Sequence, residues 1–314
     1  ATRGVNLLLT RQRADGSWAG DPAATAQALI CLANTPGREA DPRVATACAR
    51  AAEALRTSAA AALSPPTGSP ADGSAGVLAA ILPALARAGF REHQARLTAG
   101  RARLLVLAVP VELADGTRAM GFAPSAGFPA DVRLSCAVVD TLLLTDGLAA
   151  DRDPVRYRGL KGYLNERLAA LLPRQAVPAG ERAGDSARAV PADLQVEVAL
   201  LARALFCLGA SSAERPLADA LARLAAAPPR EPLAAFALAE ALTFAEAAPT
   251  PALAGRLGAW PDRVIEALLG TQMGDGGWPA GRATEPRDLA TALALRAIQV
   301  AAGRHLAEET ATSP

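Results

Sequence analysis

The chain has 314 residues, 51% of them hydrophobic, and its 32 basic and 31 acidic residues leave a formal net charge of +1. That length and apolar content allow a large buried core, and the balanced charge offers no basic face to nucleic acid or to an anionic membrane. There is no apolar run of about 18 residues to serve as a transmembrane segment, and the start Ala1-Thr2-Arg3-Gly4 does not read as a secretion signal, so the chain is expected to be soluble, cytoplasmic or exported with a leader already removed.

The apolar residues are mostly Ala, Leu and Val, and aromatics make up only 4%; this composition favours helix. Apolar periodicity read against Pro, Gly and capping signals predicts helices over 4–13, 22–34, 42–59, 73–88, 91–108 and 131–148. It predicts six more over 154–172, 191–209, 214–227, 231–247, 260–272 and 286–302. Four starts carry an acidic residue before proline, at Asp21-Pro22, Asp41-Pro42, Asp153-Pro154 and Glu285-Pro286. There the missing N–H costs nothing and the carboxylate meets the positive helix end. No Gly/Ser-rich or Pro-rich linker separates two cores, so 1–314 reads as one all-α domain.

Cys31, Cys48, Cys136 and Cys207 each lie in an apolar helical run and read as buried free thiols. His93 and His305 sit in polar segments without paired-ligand spacing, so neither a metal nor another cofactor is expected.

Twelve helices make six pairs recurring at roughly 50 residues, which points to a repeat architecture. Near the start the chain carries Gln12, Asp15, Gly16 and Trp18, and near the end Gln272, Asp275, Gly276 and Trp278 at the same spacing. A middle segment from Asp115-Gly116 to Phe122 looks like a degenerate third copy. Equivalent first and last units would let the terminal pairs bury each other's apolar faces and close the ring. These segments resemble the Q-x-x-D-G-x-W repeat of squalene and terpenoid cyclases and protein prenyltransferase β subunits, called the QW motif in the cyclases. The resemblance implies an (α/α)6 toroid and a structural role for the motif: Gln bonding helix-end backbone, Gly permitting the turn, indole packing between helices. Both helices of each pair carry long apolar faces, so it is the resemblance that assigns which one turns inward.

A class II cyclase of that family would protonate its substrate from a D-x-D-D segment. Here the nearest match is Val138-Val139-Asp140-Thr141, with Val139 in the donor's place. The zinc ligands of a prenyltransferase are not found, nor is a Walker A loop, a G-x-S-x-G elbow or an H-E-x-x-H pair. What remains is carboxylates. Asp131 and Asp193 stand near the starts of helices assigned to the inner layer, followed by Arg133, Gln195 and Glu197, and could form a polar rim around an apolar cavity. Helix capping accounts for the same residues without a ligand. Asp140 lies between apolar residues and needs a partner or a raised pKa if buried.

The leading expectation is a toroid that binds an apolar or isoprenoid-like small molecule, or acts as a scaffold, through its cavity or rim. The alternative is an unorthodox terpenoid cyclase using Asp131, Asp140 or Asp193 as its acid. A polysaccharide lyase or hydrolase rests on fold analogy alone, and the few Tyr and Trp residues argue against it.

Overall fold

The computed structural model describes residues 2–37, 41–63, 74–87, 94–146, 154–172, 190–247, 257, 259–281 and 285–312. Twelve α-helices lie among them: α1 Thr2–Arg11, α2 Pro22–Ala33, α3 Pro42–Leu63, α4 Ser74–Arg87, α5 Gln94–Val106 and α6 Val132–Asp146. The remaining six are α7 Pro154–Leu171, α8 Ala192–Cys207, α9 Arg215–Ala226, α10 Pro232–Ala247, α11 Trp260–Leu269 and α12 Arg287–Thr312.

Two kinds of helix alternate. α9 is amphipathic: it buries Leu217, Ala220, Leu221 and Leu224 on one stripe and gives the other face to water. α10 is apolar nearly all round and buries Ala234, Ala235, Phe236, Ala237, Leu238, Ala239, Ala241 and Leu242, the pattern of a helix surrounded by protein. The even-numbered helices pack in the order α2, α4, α6, α8, α10, α12, and α12 packs back on α2. The odd-numbered helices fill the outer seams, α3 between α2 and α4, α7 between α6 and α8, and so on to α1 against α12. The result is an all-α (α/α)6 toroid, with α1–α12 contact reinforced by a 2.5 Å bond from Arg11 Nε to buried Asp288.

Three turns share one local design. Arg13 N–H donates to Ser17 O, Leu113 N–H to Thr117 O, and Met273 N–H to Gly277 O. In each, an aspartate Oδ1 accepts from the backbone N–H two residues on, at Asp15–Ser17, Asp115–Thr117 and Asp275–Gly277. Between them Gly16, Gly116 and Gly276 have φ of 84°, 79° and 90°, the left-handed region that a side chain disfavours. A buried aromatic follows each turn. Its backbone N–H donates to a hydroxyl on the next inner helix: Trp18 to Thr25 Oγ1 (3.0 Å), Trp278 to Thr291 Oγ1 (3.2 Å) and Phe122 to Ser135 Oγ (2.9 Å). The indole N–H groups of Trp18 and Trp278 each cap a preceding outer helix, at Leu8 O and Leu268 O, both at 2.8 Å.

The middle copy is longer. Trp18 and Trp278 follow their aspartates by three residues, Phe122 follows Asp115 by seven, and the extra residues extend the turn into a hairpin, β1 Ala108–Glu112 against β2 Arg118–Phe122. The sequence reading runs a helix to residue 108, whereas α5 ends at Val106 and the chain turns into strand. The run Leu104 to Val109 is apolar throughout and so fits either element by periodicity; the β-branched Val109 and Val111 around Pro110 favour strand. Pro110 faces the free edge of β1, since the alternate residues Leu107 and Leu113 make the cross-strand bonds, and an edge is where a strand tolerates a missing N–H. α12 also runs ten residues beyond its expected end at 302, to Thr312.

Candidate functional site

Charged side chains inside the ring come from single residues set in otherwise apolar inner helices. Asp140 of α6 accepts from Arg203 Nη2 of α8 at 2.6 Å. Arg203 Nε also donates to Glu240 of α10, Glu240 accepts from Arg296 Nη2 of α12 at 3.5 Å, and Arg296 Nη1 donates to Gln27 of α2. This belt follows the inner ring through five of its six helices. The side chains of Arg203 and Arg296 are only 8% and 7% exposed. Phe236 lies beneath both guanidinium groups, its centroid 4.0 Å from Arg296 Cζ and 5.7 Å from Arg203 Cζ. Burial disfavours the charged form of Arg203, but attraction from Asp140 and Glu240 overrides it and raises its pKa well above the ordinary value. Two cations meet two anions, so the buried charge is balanced. Asp140 Oδ2 thus accepts a hydrogen bond from a charged guanidinium.

The sequence reading singled out Asp140 but not Arg203, Glu240, Arg296 or Gln27. Each of the three charged residues carries the signal Asp140 does, a lone charge between apolar helix neighbours that must find a partner if buried.

At the N-terminal ends of the inner helices the expected rim residues divide: Asp131 caps its helix, whereas α8 has no side-chain cap bond. Asp131 is exposed, and its Oδ1 accepts from Leu134 N at 2.7 Å to start α6. Asp193 is exposed in the first turn of α8, where the helix dipole favours it. Gln195 Nε2 turns back to Val190 O at 3.1 Å. Glu231, which the sequence reading did not single out, caps α10 by accepting from Ala234 N at 2.8 Å. Burial raises its pKa, Glu285 nearby adds to the rise, and Arg133 opposes it. Asp131 and Glu197 both act on Tyr163, whose phenol is raised chiefly by burial and is partly offset by Arg167. The rim therefore brings Asp131, Glu197, Tyr163 and Arg167 into one neighbourhood, while Asp140 lies nine residues deeper along α6 in the belt.

Beside that neighbourhood is a cleft of about 400 Å³, formed by β1 (Val109, Pro110, Val111), the segment Phe128-Pro129-Ala130 and, from α7, Tyr163 and Arg167. The hairpin is braced on α7 by a 2.7 Å bond from Ala114 N to Glu166 Oε2, and Tyr163 Oη donates to Ala130 O at 3.3 Å. Tyr163 is buried and Phe128 is 56% exposed, so the tyrosine forms the floor and the phenylalanine the lip. Among the described residues no group of His, Cys, Asp and Glu could hold a metal ion, and no helix is long and apolar enough to cross a membrane. None of the four cysteines forms a disulfide; Cys31 and Cys136 are buried, whereas Cys48 and Cys207 are only half-buried. Burial pushes the Cys31 thiol up to about 12 and Cys136 up further, which makes both poor nucleophiles.

No family model matches the chain, and no curated protein matches it in sequence. Among solved structures, the apo type II terpene cyclase MstE from Scytonema superposes with a TM-score of 0.54 at 18% identity, covering 97% of this chain and 97% of that one. The chain therefore has a terpene cyclase-like toroid fold.

Proposed function

We propose that this chain, working as one domain over 1–314, uses its terpene cyclase-like toroid to bind an apolar or isoprenoid-like small molecule at the rim instead of carrying out orthodox cyclisation. The observation that carries the reading is the cleft of about 400 Å³ under the hairpin, lined by Val109, Val111, Phe128 and Tyr163. Its size falls within the range of small-molecule sites, and it is mostly apolar with few polar groups, as such sites are. It also lies where the repeat departs from its own pattern, and departures from a local rule concentrate at functional positions. A scaffold role through the same rim is the weaker form of this reading.

The test is a titration of the purified protein with Nile red followed by competition with geranylgeraniol. Saturable dye binding, displaced by the isoprenoid alcohol and weakened about tenfold by Phe128→Ala, is the expected result. Dye that is not displaced, or displacement indifferent to both Phe128→Ala and Val111→Asp, would overturn the cleft as the site.

The rival reading is an unorthodox terpenoid cyclase in which Asp131, Asp140 or Asp193 is the acid, with Arg133, Gln195 and Glu197 as rim contacts; the likeness to MstE supports it. Incubation with squalene, its epoxide and linear prenyl diphosphates, followed by gas chromatography of dephosphorylated extracts, separates the two. Protein-dependent cyclic products lost on one Asp→Asn replacement would establish the cyclase; unchanged substrates leave the binding reading in place.

A further inference from the structure

We infer that the ligand of the rim cleft is a monocarboxylate with an apolar body, its head group taken by Arg167; this rests on the reading of the cleft as a binding site. Arg167 is the one charged residue among the eight that line the cleft. It stands four residues after Tyr163 on α7, hence on the same helix face one turn along. Tyr163 is buried and Arg167 exposed, so the guanidinium sits towards the mouth above an apolar interior. The other polar group of the lining, the Tyr163 hydroxyl, already donates to Ala130 O. Arg167 makes no hydrogen bond or ion pair among the described residues. Among the described residues its donors are therefore open to an anion, and their planar fork matches a carboxylate in two parallel bonds.

The surroundings also weigh against a head group with several negative charges. Asp131 and Glu197 act on the same Tyr163 that Arg167 faces. Arg167 brings one positive charge to the lining, and the acids near Tyr163 would repel a diphosphate, which carries several negative charges, more strongly than a single carboxylate. The apolar body would lie along Val109, Val111, Phe128 and Pro129.

Isothermal titration calorimetry with dodecanoate, dodecanol, dodecyltrimethylammonium and geranyl diphosphate, each below its micellar concentration, tests this. The expected result is dodecanoate bound about tenfold more tightly than dodecanol, a preference that shrinks with added salt and disappears in Arg167→Gln while dodecanol binding persists. Equal binding of acid and alcohol, a preference surviving in Arg167→Gln, or tighter binding of the diphosphate or the ammonium overturns the head-group assignment and leaves the cleft as a site for apolar ligands. If none of the four binds, the cleft reading itself falls.

Discussion

The turns at 12–18 and 272–278 and the hairpin at 108–122 start from the same chemistry and end in different places. All three carry the aspartate turn, the left-handed glycine and an aromatic whose N–H is held by a hydroxyl of the next inner helix. The two tight turns spend everything on packing. A Cβ on Gly16 would lie 2.3 Å from Arg50 O, and one on Gly276 would lie 2.7 Å from Arg3 Cβ, because the neighbouring outer helix presses on the turn. The hairpin lifts Gly116 into open space, with nothing within 4 Å of such a Cβ, and leaves a cleft behind it. A few added residues thus convert a structural joint into a concave surface without disturbing the ring.

The largest effect expected along this comparison is at the tight turns. Trp278→Ala removes a fully buried indole and the cap on Leu268 O, and should cost about 4 kcal/mol in urea unfolding. A loss under about 1 kcal/mol would mean that the joint does not hold the ring. Gly16→Ala should cost about 3 kcal/mol, from backbone strain plus the clash with Arg50, whereas Gly116→Ala should cost about 1 kcal/mol from strain alone. Equal costs would show that the turns are equally crowded. Ser135→Ala strands the buried Phe122 N–H and should cost about 1–2 kcal/mol, with hydrogen exchange at Phe122 accelerated.

The smallest effect is electrostatic. Asp275 is held below the ordinary carboxylate value chiefly by its bond from Arg287, Asp15 by Ser17 and Asp115 by Thr117. A folded pKa below the unfolded one gives stability that is present above the unfolded value and lost as pH falls through the folded one, so all three turns should loosen below the usual aspartate range near 3.8. NMR titration should show the Asp275 shift shrinking in high salt, since its partner is a charge, while the Asp115 shift, owed to a neutral hydroxyl, stays. Salt dependence at Asp115 would contradict that distinction.

While Asp153 of a third such start lies outside the described residues, the acid–proline starts at Asp21-Pro22 and Asp41-Pro42, the Ala- and Leu-rich helical periods and the repeated Gln, Asp, Gly and Trp spacing were legible in the sequence because capping, turn and periodic signals are local. They determine the helices and imply the ring. The hairpin was not legible, since an uninterrupted apolar run such as Leu104 to Val109 satisfies helix and strand alike until neighbours choose. Nor was the belt: Asp140 and Arg203 are 63 residues apart, Arg203 and Glu240 37, and Glu240 and Arg296 56. Inner helices that are apolar nearly all round give no stripe from which to tell the direction of a lone charge. Its partner was decided only when the ring brought the helices side by side, because a buried charge must be paired with whatever the tertiary structure puts within reach.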